Sequence, residues 1–70
     1  MKPILSYMLT DNKCPTLEDI QLCCTVAKRD NCVIRLVWLV PYSGWYDVLL
    51  YPDSNPEEIF ENEVPQVYGV

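Results

Sequence analysis

The sequence predicts an α+β fold, a single small domain of 70 residues with the element order β-α-β-β-α. An apolar, β-branched stretch, CVIRLVWLVPYSGWYDVLLY, is interrupted by Pro-Tyr-Ser-Gly and indicates two strands joined by a tight turn. A segment with apolar residues at helical spacing precedes it. We therefore expect a three-stranded, mostly antiparallel sheet with one long helix on one face and a short C-terminal helix.

The N-terminal half is predicted to form a strand and then the long helix. Apolar residues alternate loosely over residues 1–10, which indicates the first strand, and Asp-Asn-Lys then breaks it. Thr16 is a good N-cap residue, and Asp19 stands three positions later, as in a capping box. Basic residues near the end complement the helix dipole. The long helix is therefore expected over residues 16–29.

The hairpin is predicted to pair residues 32–41 with residues 45–51. The turn matches a three-residue loop in which Gly44 takes the left-handed position of a bulge, so that Val40 pairs with Tyr46. One face of the hairpin is then apolar throughout, and the other mixes apolar and polar side chains. A single long helix cannot cover both faces. The first strand can pair parallel with the second strand or antiparallel with the third.

A short helix is predicted over residues 56–62. Asn55 is a good cap, Pro56 suits the first helical position, and Glu58 is placed for a reciprocal hydrogen bond to the cap. Residues 64–70 are predicted to be a tail or a short edge strand.

The charge of the chain is unevenly distributed. The net charge is −5, there is no histidine, and all five basic residues lie at or before Arg35. From Leu36 onward there are acids and no base, which argues against nucleic-acid or anionic-membrane binding through this half. Such a field suits a protein partner with a basic surface, although the acids can also serve solubility alone.

The N-terminal residues lack the features of a secretory signal, and no apolar run is long enough for a membrane span. We therefore expect a cytoplasmic protein with reduced cysteines and no membrane association. The spacing C-x8-C-C-x7-C does not offer the two close pairs of a structural zinc site. A disulfide between Cys14 and Cys32 is an alternative, but we expect both to be free thiols, with Cys23 or Cys24 in the core. No metal or cofactor is predicted.

Catalysis is not expected. With no histidine, acid–base chemistry would fall to carboxylates, lysine or cysteine, and nothing in the sequence fixes a working pair. Only two glycines are present, so no phosphate-binding loop can form. No cysteine has an identifiable base partner.

The predicted partner-binding residues combine aromatic side chains at the turn with the C-terminal acids. Tyrosine and tryptophan are enriched at interface hot spots, and side chains flanking a turn are hard to bury within their own domain. The alternative is that both aromatic residues fold over the hairpin end and cap the core. The predicted set is Tyr42, Trp45, Asp47, Asp53, Glu57, Glu58, Glu61 and Glu63.

The chain is small and acidic and lacks catalytic motifs. In this profile it is similar to phage and mobile-element products that block host enzymes or defence complexes, such as anti-CRISPR proteins and DNA mimics. The profile implies a non-enzymatic inhibitor or modulator, acting in a host cell on a larger, nucleic-acid-binding protein. A structural subunit or obligate homodimer is the first alternative, and a cysteine metal or redox module is the second. The homodimer would use the mixed hairpin face, with Val33, Val37, Leu39 and Leu49.

Overall fold

The computed structural model describes residues 3–10 and 13–64 of the chain. The predicted fold class and element order are confirmed. Most of the C-terminal segment predicted as a tail or edge strand lies outside the described residues, and only Val64 is among them. The elements in chain order are β1 (Ile4–Met8), α1 (Leu17–Asp30), β2 (Val33–Val40), β3 (Gly44–Leu50) and α2 (Pro56–Glu63).

The three strands form one sheet in the order β1-β2-β3. β1 pairs parallel with β2, and β2 pairs antiparallel with β3. Of the two positions open to the first strand, the structure therefore has the parallel one, with α1 in the crossover connection. The sheet is mixed, and its antiparallel part is the hairpin.

α1 begins with the predicted capping box. The Asp19 backbone N–H donates to Thr16 Oγ1 at 3.2 Å, and the Thr16 N–H donates to Asp19 Oδ2 at 2.9 Å. The helix ends at Asn31, which is left-handed with φ 50° and donates its N–H to the Ala27 carbonyl. Both ends therefore satisfy backbone groups that would otherwise lack partners. The residues of α1 that are buried are Ile20, Cys24 and Ala27.

The predicted hairpin register is wrong by two residues, because Val40 pairs with Gly44 and Trp38 with Tyr46. The turn itself explains the difference. The Ser43 N–H donates to the Val40 carbonyl at 3.0 Å, and the residue with positive φ inside this four-residue turn is Tyr42, at 67°. Proline at the second position and positive φ at the third are features of a type II turn.

Gly44 therefore pairs at the start of β3 and is not the third residue of a loop, although it also has positive φ. A shift of two residues leaves every side chain on the face where it was predicted, since the side-chain period of a strand is two. The expected separation into an apolar face and a mixed face therefore stands.

The core lies between α1 and the apolar face of the hairpin. Trp38 is completely buried, and its ring stacks on Tyr46 with the centroids 6.2 Å apart. From α2, Ile59 and Phe60 pack at the edge of this cluster. The buried residues of the cluster are Ile20, Cys24, Ala27, Cys32, Ile34, Leu36, Trp38, Val40, Val48, Leu50 and Val64.

Replacing Thr16 with alanine removes the side-chain acceptor at the start of α1. We expect Thr16→Ala to lower the free energy of unfolding by about 1 kcal/mol, measured by urea denaturation. The matched control is Thr25→Ala, because Thr25 is an exposed threonine within α1 whose hydroxyl donates to the Gln21 carbonyl. This control should change stability by less than about 0.5 kcal/mol, since alanine is the better helix former. Equal losses in the two variants would contradict the capping role.

Candidate protein-binding surface

The side of the sheet opposite α1 forms an open sheet face, onto which no described helix packs. On β2, Val37 and Leu39 are only half-buried there. On β3, Trp45 is 59% exposed and Leu49 is 38% exposed. Exposed apolar side chains that are grouped on one face mark interaction sites more often than single scattered ones do.

One ion pair crosses the open sheet face. Arg35 Nε lies 2.8 Å from Asp47 Oδ2, and both side chains are about half exposed. An exposed pair of this kind contributes at most about 1 kcal/mol to stability. It also pairs the charge of Asp47, one of the acids predicted to contact a partner. The other five predicted acids lie on α2 and the loop before it.

The aromatic residues at the hairpin end are exposed and do not cap the core. Tyr42 is fully exposed, whereas Trp38 is completely buried. The backbone of Tyr42 has φ 67°, in the left-handed region. That region costs a non-glycine residue about 1–2 kcal/mol, and glycine is favoured at this turn position. The domain thus presents a tyrosine ring to solvent from a conformation that suits glycine better.

The depressions beside α2 place one of its acids next to the open sheet face. Asp53, Glu58 and Glu63 line one shallow depression along α2. Glu63 also lines a second depression together with Asp47 and Leu49. α2 packs mainly against α1, and Glu63 near its C-terminal end is the acid that lies beside β3.

The acids at the end of α2 are not explained by helix stability. Glu57 and Glu58 stand in the first turn, where their backbone N–H groups donate to the capping Asn55 side chain. Glu61 and Glu63 stand in the last turns, where the helix dipole favours cations, and the last turn holds no basic residue. The predicted acids Glu57, Glu58, Glu61 and Glu63 are all exposed.

The residues predicted for a homodimer through the hairpin face differ in their solvent exposure. Val33 is only 6% exposed and is paired with Ile4 of β1. Val37 and Leu39 are half-buried, which leaves Leu49 as the one exposed member of the predicted set.

The cysteines do not lie together in a site. All four are free thiols; Cys14 and Cys23 are half-buried, while Cys24 and Cys32 are buried. Burial raises the pKa of Cys23, with further contributions from Cys24 and Asp19, and burial also raises the pKa of Cys24. Over residues 3–10 and 13–64, no three acidic or cysteine side chains are grouped so that they could hold a metal ion.

The sequence prediction missed an exposed apolar region around β1. All five residues of β1 are exposed, on both faces of the sheet. An apolar groove of about 150 Å³ separates β1 from α1. Its lining consists of Tyr7, Asp19, Leu22, Cys23, Val26, Ile34 and Leu36. The loose alternation of β1 predicted a strand but carried no signal that α1 would leave it uncovered.

Comparison with known proteins assigns no function to any of these residues. No protein-family model matches the chain, and no curated protein or solved structure is significantly similar to it. In the part of the chain that the structure describes, neither helix has the length and apolarity that a membrane crossing requires.

Replacing Tyr42 with glycine should not destabilise the domain. The ring is fully exposed and the backbone is left-handed, so Tyr42→Gly is expected to raise the free energy of unfolding by up to about 1 kcal/mol. Urea denaturation measures the change. Ser43→Gly is the control, because it adds the same backbone freedom without removing the aromatic ring. A loss of 1 kcal/mol or so in Tyr42→Gly alone would show that the ring packs within the domain.

The thiols should react slowly in the native protein. Because burial raises the pKa of Cys23 and Cys24, their thiolate fraction at pH 8 is reduced. We expect both to react with a disulfide reagent at least about tenfold more slowly in the folded state than in guanidinium chloride. The denatured chain should give four thiols. A lower number would indicate a disulfide and would support the redox alternative.

Proposed function

We propose that this protein is a non-enzymatic inhibitor or modulator that binds a larger protein with a basic surface. The hairpin turn supplies the aromatic anchors, and the α2 side supplies the negative charge. The observation that carries the proposal is Tyr42, an aromatic ring fully exposed from a left-handed backbone.

A strained residue that the fold does not need is a signal of function. Nothing in the packing of the described domain compensates the conformational cost of Tyr42, because its ring is fully exposed. A partner pocket that takes up the ring offsets this cost on binding. Burial of a tyrosine at an interface removes on the order of 150 Å² of surface and is typical of a hot spot. Trp45, exposed on the open sheet face nearby in the chain, is the second anchor.

The acids on this protein determine that the proposed partner carries positive charge. Glu57, Glu58, Glu61 and Glu63 are all exposed on α2, which has no basic residue, and Asp53 adds a further acid in the preceding loop. Proteins that bind nucleic acids carry clefts rich in lysine and arginine, because the phosphate backbone supplies most of the affinity. A row of carboxylates is complementary to such a cleft. Occupation of the cleft would exclude the nucleic acid, which is the proposed inhibitory mechanism.

The two parts of the surface act on different steps of binding. Exposed carboxylates accelerate association and make it salt-dependent, while buried aromatic anchors slow dissociation. The ion pair of Arg35 with Asp47 keeps the open sheet face electrically neutral between them. This neutrality allows the apolar residues of that face to be buried without leaving an unpaired charge.

The proposal is tested by affinity capture from lysates with matched baits, followed by kinetics on the captured protein. The variant with Glu57, Glu58, Glu61 and Glu63 changed to glutamine should lose association rate and most of its salt dependence. Tyr42→Gly should raise the dissociation rate by about tenfold or more while keeping the salt dependence.

The controls are chosen outside the surface. Glu18→Gln removes one exposed acid from the first turn of α1, and Ser43→Gly alters the turn but keeps both aromatic residues. Both controls should bind as the unaltered protein does. Unchanged kinetics in the glutamine variant would refute the electrostatic part of the proposal, and unchanged kinetics in Tyr42→Gly would refute the anchor.

A further inference from the structure

Within residues 3–10 and 13–64, β1 has an unpaired edge that faces away from β2. The Val33 N–H donates to the Pro3 carbonyl, and the Leu9 N–H donates to the Val37 carbonyl. The odd-numbered residues of the strand therefore direct their backbone groups toward β2, because both groups of one residue point to the same side of a strand. It follows that Ile4, Ser6 and Met8 direct their N–H and C=O groups outward. Within the described residues, the sheet ends there.

This edge lacks the features that normally prevent strand addition. Natural edge strands are protected by charged residues, proline, bulges or a covering element. The sequence Ile-Leu-Ser-Tyr-Met contains no charge and no proline, and β1 pairs with β2 in unbroken register. β3, the opposite edge, carries Asp47 and is bordered by α2. Of the two edges, β1 is the one open to pairing.

We propose that β1 pairs antiparallel with β1 of a second copy of this chain, about a two-fold axis at Ser6. In this register Ser6 faces the partner's Ser6, and Ile4 faces the partner's Met8. Each of these pairs consists of residues whose backbone groups point outward, so each can exchange both hydrogen bonds. The strand is thus self-complementary about its central residue, as a two-fold interface requires. The result is one continuous six-stranded sheet.

The exposed side chains around β1 fit this arrangement. On the α1 side of the sheet, Leu5 would lie opposite the partner's Tyr7 at the mouth of the apolar groove. The four large apolar residues of β1 are 49–61% exposed, and Leu22 at the groove is 63% exposed. A large side chain presents on the order of 200 Å² when free, so these five offer on the order of 500 Å² per copy. With the strand backbone included, the buried area summed over both copies stays below about 1,200 Å². Interfaces of this size are typical of weak dimers whose formation depends on concentration.

The charge distribution also favours pairing of a second copy with the β1 edge over pairing with the β3 edge. Each chain carries a net charge of −5, and Glu63 of α2 lies beside Asp47 of β3. Pairing through β1 keeps the two acidic surfaces at opposite ends of the joined sheet. Pairing through β3 would bring them together, where like charges repel. The hairpin turn stays exposed in the proposed dimer. The dimer proposal does not depend on the proposed function.

Sedimentation velocity over a wide concentration series tests this pairing. The unaltered protein should show a reversible monomer–dimer equilibrium. Ser6→Lys places two like charges opposite each other at the axis and should raise the dimer dissociation constant about fivefold or more. Ser6→Glu should do the same. An equimolar mixture of the two variants should restore the dimer as a heterodimer, which a folding defect would not do. Leu49→Lys, on the open sheet face, is the control and should dimerise normally.

Three results would overturn the proposal. The first is a strict monomer at all concentrations. The second is a dimer that survives Ser6→Lys but is lost in Leu49→Lys, which would place the interface on the hairpin face. The third is failure of the mixed Lys and Glu variants to associate while each remains folded by circular dichroism.

Discussion

The structure depends on the burial of one face of β2 beneath α1. Leu36 and Trp38 on that face are completely buried, as are Ile20 and Ala27 on the helix. A domain of this size has few such residues, and its core rarely supplies more than about 3–5 kcal/mol of net stability. Loss of one buried tryptophan costs about as much as that total. The other elements must therefore be placed so that the contact between α1 and β2 remains buried.

The placement of α1 over β2 and β3 has a consequence at β1. A helix about 10 Å wide covers three strands spaced about 4.8 Å apart only when it is centred on the middle strand. α1 closes over the hairpin, where the largest side chains are, and leaves β1 as an exposed strand with a groove beside it. The apolar surface that remains outside the core is thus a geometric result of one long helix on a three-stranded sheet.

The two proposed surfaces differ in chemistry because they lie on opposite edges of the sheet. The β1 edge is neutral and apolar, with free backbone groups, and suits pairing with an identical strand. The β3 edge carries Asp47 beside Glu63 of α2 and begins at an exposed aromatic turn, and suits a basic protein. Since the edges do not overlap, a dimer would present two copies of the acidic surface. Two such copies would increase the avidity for a partner with repeated sites.

Local chemistry in the sequence was sufficient to predict the element order, the capping box of α1 and the alternation of faces in the hairpin. Each of these depends on residues within a few positions of one another, or on the period of two that every strand shares. For Tyr42 the sequence left open whether the ring contacts a partner or caps the core, and in the structure the ring is fully exposed. The hairpin register was not predicted correctly, because two turn types fit Pro-Tyr-Ser-Gly and differ only in which residue adopts positive φ. The tertiary structure alone decided that β1 joins the sheet in parallel, that Arg35 reaches Asp47, and that β1 stays uncovered. These features depend on where one helix comes to rest on three strands, and that position follows from the packing of side chains far apart in the chain.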